Sequence, residues 1–290
     1  MSEYPTAEQF SALFNSYNRY EEVFIEKWRA STQGLYDDQL SLKKLSAIAE
    51  ESSRVAFKTI NEYNAQIWLS SQPSFTLAVG ALGLPTSSTP QAAERAVASA
   101  ARLLGSYKNH DYRFTCQVAG MMGIYQKYLA GVAECFANYL TGRSVRAATQ
   151  GERVLEKMRT LTSELQQLIS GADFFSERAR ESLRINIERA ATDLDRLNYP
   201  SASKRQDARL RERLMASEII RFHHDILGGP MNRAVFQLMG LPFVKGQIEM
   251  RTIERLANAE GARIEARTKA KREATIEAMA KERKRISSAS

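Results

Sequence analysis

The sequence has little histidine, cysteine, proline or glycine, and each shortage closes off a class of function. Two cysteines, Cys116 and Cys135, with no CxxC spacing exclude a zinc ribbon or a thioredoxin-like redox centre. Both fall in the segment "CQVAGMMGIYQKYLAGVAECFANYL". If that segment is one continuous helix, nineteen residues hold them about 28 Å apart, beyond disulfide reach. The same segment is the most membrane-like, yet Lys127 and Glu134 interrupt it, so a buried helix is expected and no transmembrane segment. No GxSxG elbow, HExxH pair or Walker-type GKS/GKT is present, which leaves nucleophilic hydrolysis, helical zinc and phosphate-loop chemistry without a motif.

Only three histidines occur, and two are adjacent, in "RFHHDILGGP" from Arg221 to Pro230. Neighbours on a helix point about 100° apart, so His223 and His224 do not chelate one ion, and neither has a glutamate or histidine at i+4. The glycines and proline that follow form a strong helix stop, and a histidine there suits the helix dipole. The third, His110 in "KNHDYRF", meets the pair only if the fold brings them together. The sequence therefore assigns no catalytic, cofactor-binding or metal-ligating residue, and no cofactor. Paired acids such as Glu152/Glu156 and Glu177/Glu181 read as solvated helix faces with nearby arginines and lysines.

With seven prolines and fifteen glycines in 290 residues, long stretches rich in Ala, Leu, Glu, Arg and Lys run uninterrupted. These are strong helix formers, and the hydrophobic fraction of 43% supplies a core, so an all-α fold is expected. It divides into a helical bundle over 1–199, a helical extension packing on it over 200–242, and a long basic helix with a frayed tail over 243–290. The proline-containing "NYPSASK", Asn198 to Lys204, marks the first boundary.

Within the bundle, Thr6 and Gln9 have capping-box spacing ahead of a helix carrying Phe10, Phe14, Tyr17, Phe24 and Trp28. A second helix is expected from about Asp38 to Ser71. "QPSFTLAVGALGLPTSSTP", Gln72 to Pro90, is expected to be an ordered, partly buried loop. Thr89 and Pro90 open a helix reaching about Tyr107, and a central apolar helix runs from about Asp111 to Leu140. Val154, Leu155, Met158, Leu161, Leu165, Leu168 and Ile169 stripe the next helix, which ends at Gly171. Leu183, Ile187, Ala190, Leu194 and Leu197 stripe another from Asp173, and the two form an antiparallel hairpin. Leu210, Leu214, Ile219 and Phe222 lead to the histidines.

Charge is uneven along the chain. Residues 1–72 carry a net −3, 73–142 a net +2, 143–199 a net +1, and 200–290, with 19 basic and 11 acidic side chains, a net +8. Beyond about Gln247 there is no proline, one glycine and no aromatic residue, and the apolar residues are too sparse for a strong heptad, although they are compatible with a coiled coil. A helix this polar is expected to project from the body or pack on it weakly. Its basic side chains Arg263, Arg267, Lys269, Lys271, Arg272, Lys281, Arg283, Lys284 and Arg285 are the candidate partner-binding residues.

"LMGLPFVKGQIEMRTIERL" resembles the Gly-Leu-Pro junction and arginine-bearing helix of accessory subunits of polyhydroxyalkanoate synthases, over about twenty residues; the tryptophan-rich opening of that family is missing here. The resemblance implies a granule or synthase accessory role. The residues themselves favour a non-catalytic assembly or adaptor protein that self-associates or docks a protein partner, its basic helix touching an acidic surface. Nucleic-acid association through that helix is the alternative. The opening "MSEYPTAEQFSALF" has neither a basic start nor an apolar run, so a cytoplasmic location is expected.

Overall fold

The computed structural model describes residues 4–35, 41–58, 63–84, 88–104, 112–172, 174–196 and 208–288. Every regular element among them is an α-helix. In chain order these are α1 (Ala7–Phe14), α2 (Ser16–Thr32), α3 (Leu42–Lys58), α4 (Asn64–Ser71), α5 (Pro73–Leu82), α6 (Pro90–Leu104) and α7 (Tyr112–Met122). Then follow α8 (Ile124–Thr141), α9 (Arg143–Ser170), α10 (Glu177–Arg196), α11 (Leu210–Leu227), α12 (Asn232–Leu238) and α13 (Met250–Ser288).

The predicted capping box is present. The Thr6 hydroxyl accepts from the Gln9 N–H, and the Gln9 side chain accepts from the Thr6 N–H at 2.8 Å. Four expected elements are corrected. The first helix, expected to carry Phe10 through Trp28, is two, α1 and α2, which meet at Asn15, and Phe14 at the end of α1 is exposed. The helix expected over 38–71 is two helices, because Tyr63 is extended (φ −75°, ψ 119°) where α4 begins. The expected loop at 72–90 contains a helix, α5. Pro73 occupies its first turn, Phe75, Ala78 and Val79 are buried, and Gly83 closes it in the left-handed conformation at φ 61°. The central helix expected over 111–140 is interrupted at Gly123, where an added Cβ would run into the Tyr20 ring. The boundary at 198–204 and His110 lie outside the described residues.

Two cores result. In one, α2, α3, α6 and α7 bury Tyr20, Phe24, Trp28, Leu45, Val97 and Phe114. In the other, α8 is central, with α1, α4, α5, α11, α12 and the first turns of α13 around it. Phe57 and Tyr63 pack against both. The segment between α12 and α13 belongs to the second core, since Leu241, Phe243 and Ile248 are buried there.

Close approach of α11 to α8 depends on Gly131. A Cβ at that position would overlap the Phe222 ring. Gly131→Ala is therefore expected to destabilise the protein by about 1–3 kcal/mol through overpacking, although alanine gains about 1 kcal/mol in helix propensity. A lowered urea midpoint, partly restored in the Gly131→Ala, Phe222→Leu double variant, is the expected observation.

Candidate interaction surface

The histidine pair ends α11 as a structural feature. Gly228, at φ 73°, terminates the helix and donates its N–H to the His224 carbonyl. His223 is fully buried, stacks on Tyr128 at 5.6 Å between ring centroids, and has Nδ1 3.1 Å from the Pro230 carbonyl oxygen. A carbonyl only accepts, so Nδ1 carries the proton and Nε2 is left bare, buried and without a hydrogen-bond partner. Protonating Nε2 would place a charge in that apolar setting, and burial lowers the His223 pKa to about 4. Among the described residues no group of His, Cys, Asp and Glu is arranged to hold a metal ion. Both cysteines are free, and burial raises the pKa of Cys135 well above the ordinary thiol range.

A second polar cluster ties α11 to the end of α8. The Arg211 guanidinium donates to the Tyr139 and Leu140 carbonyls at 2.7 and 2.8 Å and lies 4.7 Å from the Tyr139 ring. The Tyr139 hydroxyl donates to the buried Glu212 carboxylate at 3.0 Å and accepts the Lys245 N–H at 3.2 Å. These groups satisfy the open carbonyls of a helix end and anchor the chain leading to α13.

The expectation that the last helix buries little does not hold for its first turns. Ile253, Ala257 and Glu260 are buried, and α13 packs on α11 and α12. Glu260 pairs with Arg221 of α11 at 3.5 Å and with Arg263 at 2.8 Å. Arg263, one of the candidate partner-binding residues, is thus already engaged within the chain. Arg267, Lys269 and Arg272 are exposed. The side chains of Lys271, Lys281, Arg283, Lys284 and Arg285 lie outside the described residues.

Among the described residues, a run of exposed apolar side chains lies on the hairpin of α9 and α10. Among the described residues the base of α9 meets the body, where Val145 and Ala148 pack with Leu210 and Leu214; α10 packs on α9. Arg159 reaches the Leu194 carbonyl while Gln166 and Ser170 sit near Glu177 and Arg180, so the helices are antiparallel. The apolar stripe of α9 is split. Leu155 is buried, whereas Val154, Met158, Leu161, Leu165 and Leu168 are 53, 46, 48, 49 and 70% exposed. At 100° per residue these five form one row beside the face that meets α10, and Leu183 of α10 lies on the same side of the hairpin. The opposite side is a polar groove lined by Gln166, Ser170, Glu181, Arg184 and Glu188. Arg184 pairs with both Glu181 and Glu188, as expected for a solvated face, and its hydrogen bond lowers the Glu181 pKa.

A signal for this surface was present in the sequence. The row advances by four, three, four and three residues, the 3.5-residue repeat of a helix that packs along a partner. A cleft of about 750 Å³ lies between α3, α4, α5 and α8, lined by Arg54, Lys58, Gln66, Phe75, Ser88 and Tyr125. No described helix is long and apolar enough to cross a membrane. No protein-family model, curated protein or solved structure matches the chain.

Proposed function

We propose that the protein is a non-catalytic assembly or adaptor protein of the cytoplasm. Its helical body presents the α9–α10 hairpin to a protein partner, and its long basic C-terminal helix touches an acidic partner or surface. The observation that carries this reading is the exposed apolar row on α9. A monomeric protein rarely leaves so continuous an apolar strip open to water, and such strips mark interaction sites. The exposed Arg267, Lys269 and Arg272 support the electrostatic part. The buried Ile253, Ala257 and Glu260 set where the basic segment is separable: a chain ending at residue 266 keeps the turns that belong to the core.

The test is light scattering on the full chain and on the chain ending at 266, at low and high salt, with absorbance at 260 nm followed in the same run. Assembly through apolar side chains predicts a mass above 32.6 kDa that persists at high salt, in a protein free of nucleic acid. Nucleic acid that accompanies the full chain, is shed by salt and is absent from the shorter chain would replace this reading with nucleic-acid association. A clean monomer under every condition would overturn self-assembly.

A further inference from the structure

We infer that the occupant of the α9 row is a second copy of this chain, seated antiparallel so that two hairpins close a four-helix bundle about a two-fold axis. The inference rests on the assembly reading above and names its partner and register.

Three observations carry it. The first is spacing: Val154, Leu161 and Leu168 alternate with Met158 and Leu165 as two interleaved seven-residue repeats, the pattern of a helix that packs along another helix. A hairpin supplies two of the four helices that a bundle needs, and a two-fold axis across it supplies the others in antiparallel order.

The second is area. The five exposed side chains of the row, with Leu183, leave on the order of 500 Å² of apolar surface open, the greater part of what one partner contributes to a stable interface.

The third is charge. Antiparallel packing that puts Met158 opposite Leu161 of the second copy also puts Leu165 opposite Val154, and both contacts occur twice by symmetry. The residues that flank the row on the side away from α10 are Lys157 and Glu164. In that same register Lys157 of each copy meets Glu164 of the other. Both side chains are exposed and neither is in an ion pair among the described residues. They are seven residues apart on one helix, about 10 Å, too far to pair with each other. The surface is thus complementary to itself in one orientation.

The experiment is the solution mass of the full chain by light scattering over a hundredfold concentration series, for the wild type and three variants. The wild type is expected at twice 32.6 kDa. Leu161→Glu, Leu165→Glu is expected to weaken dimerisation at least about 100-fold by burying carboxylates in the interface, with unchanged circular dichroism because both positions already face water. Lys157→Glu sets like charges against each other twice and is expected to weaken it about 10-fold, and adding Glu164→Lys restores it.

Each failure has its own meaning. A wild-type monomer throughout the series overturns the second copy as occupant, and leaves the adaptor reading to be decided with other proteins. A dimer indifferent to Leu161→Glu, Leu165→Glu overturns the hairpin as the interface while self-assembly stands. Loss of the dimer in Lys157→Glu without recovery in the double variant overturns the antiparallel register.

Discussion

Phe243→Ala is expected to destabilise the protein by about 3–5 kcal/mol, the cost of removing a fully packed aromatic ring and leaving most of its volume empty. Phe243 is 2% exposed and lies in no helix, yet five rings surround it. Their centroids are Phe136 at 5.2 Å, Phe10 at 5.6 Å, Tyr4 at 5.9 Å, Trp68 at 6.0 Å and Tyr139 at 6.1 Å. Those rings come from the N-terminal segment, α1, α4 and α8, so one side chain joins four parts of the second core. It also fixes the chain just before α13. Tilted and edge-on contacts add to the area that Phe243 buries, because the positive edge of one ring meets the negative face of another. Leucine keeps part of the volume and none of the edge-to-face contacts, so Phe243→Leu should cost less, about 1–2 kcal/mol. Urea unfolding followed by circular dichroism separates the two. Equal midpoints for alanine and wild type would show that the aromatic cluster does not hold the core.

His223 is expected to make the protein lose stability as the pH falls from about 6.5 to about 4. Its ordinary value is 6.5, and burial beside Tyr128 lowers the folded value to about 4. Between those values the unfolded chain binds a proton at this residue and the folded chain does not. Stability therefore rises with pH across the window. The contribution is complete above about 6.5, mostly lost by 4 and gone below it, and worth about 3–4 kcal/mol in full at roughly 1.4 kcal/mol per unit. Other groups titrate in the same range. Glu218, for example, is half-buried, and desolvation raises its pKa, which acts in the opposite direction. The quantity to measure is thus the difference between wild type and His223→Gln at each pH. That difference should shrink by about 2–3 kcal/mol between pH 7 and pH 4. Parallel stability curves for the two proteins would sink the claim that His223 is buried neutral.

Much of the local structure was legible because it is made of local interactions. Thr6 and Gln9 satisfy each other's backbone groups three residues apart, so their spacing alone marks a helix start. Gly142 and Gly228 adopt the left-handed conformation after α8 and α11, as glycine after an apolar-periodic run suggests. Other stops were misread for lack of a tertiary partner. Gly80 and Gly83 make α5 look like a loop, and the helix exists because Phe75, Ala78 and Val79 are buried in the core it shares with α12. Gly123 looks like an interior residue of a long helix, and only the Tyr20 ring reveals why the position must be small.

The candidate surface divides along the same line. The apolar row on α9 was visible as a row, and the pairing of α9 with α10 was expected. That one stripe would split, with Leu155 inward and Leu161, Leu165 and Leu168 open, depends on how far the hairpin extends beyond the body. The basic residues of α13 were visible as charge, but the ion pairs from Glu260 to Arg221 and Arg263 were not. By itself the sequence determined that the chain is helical, where several of its helices begin and end, and which faces are apolar, because those properties arise from backbone geometry and contacts within about four residues. Tertiary structure decided which apolar faces find a partner, which glycines are spacers and which charges are buried, because burial depends on residues far away in the chain.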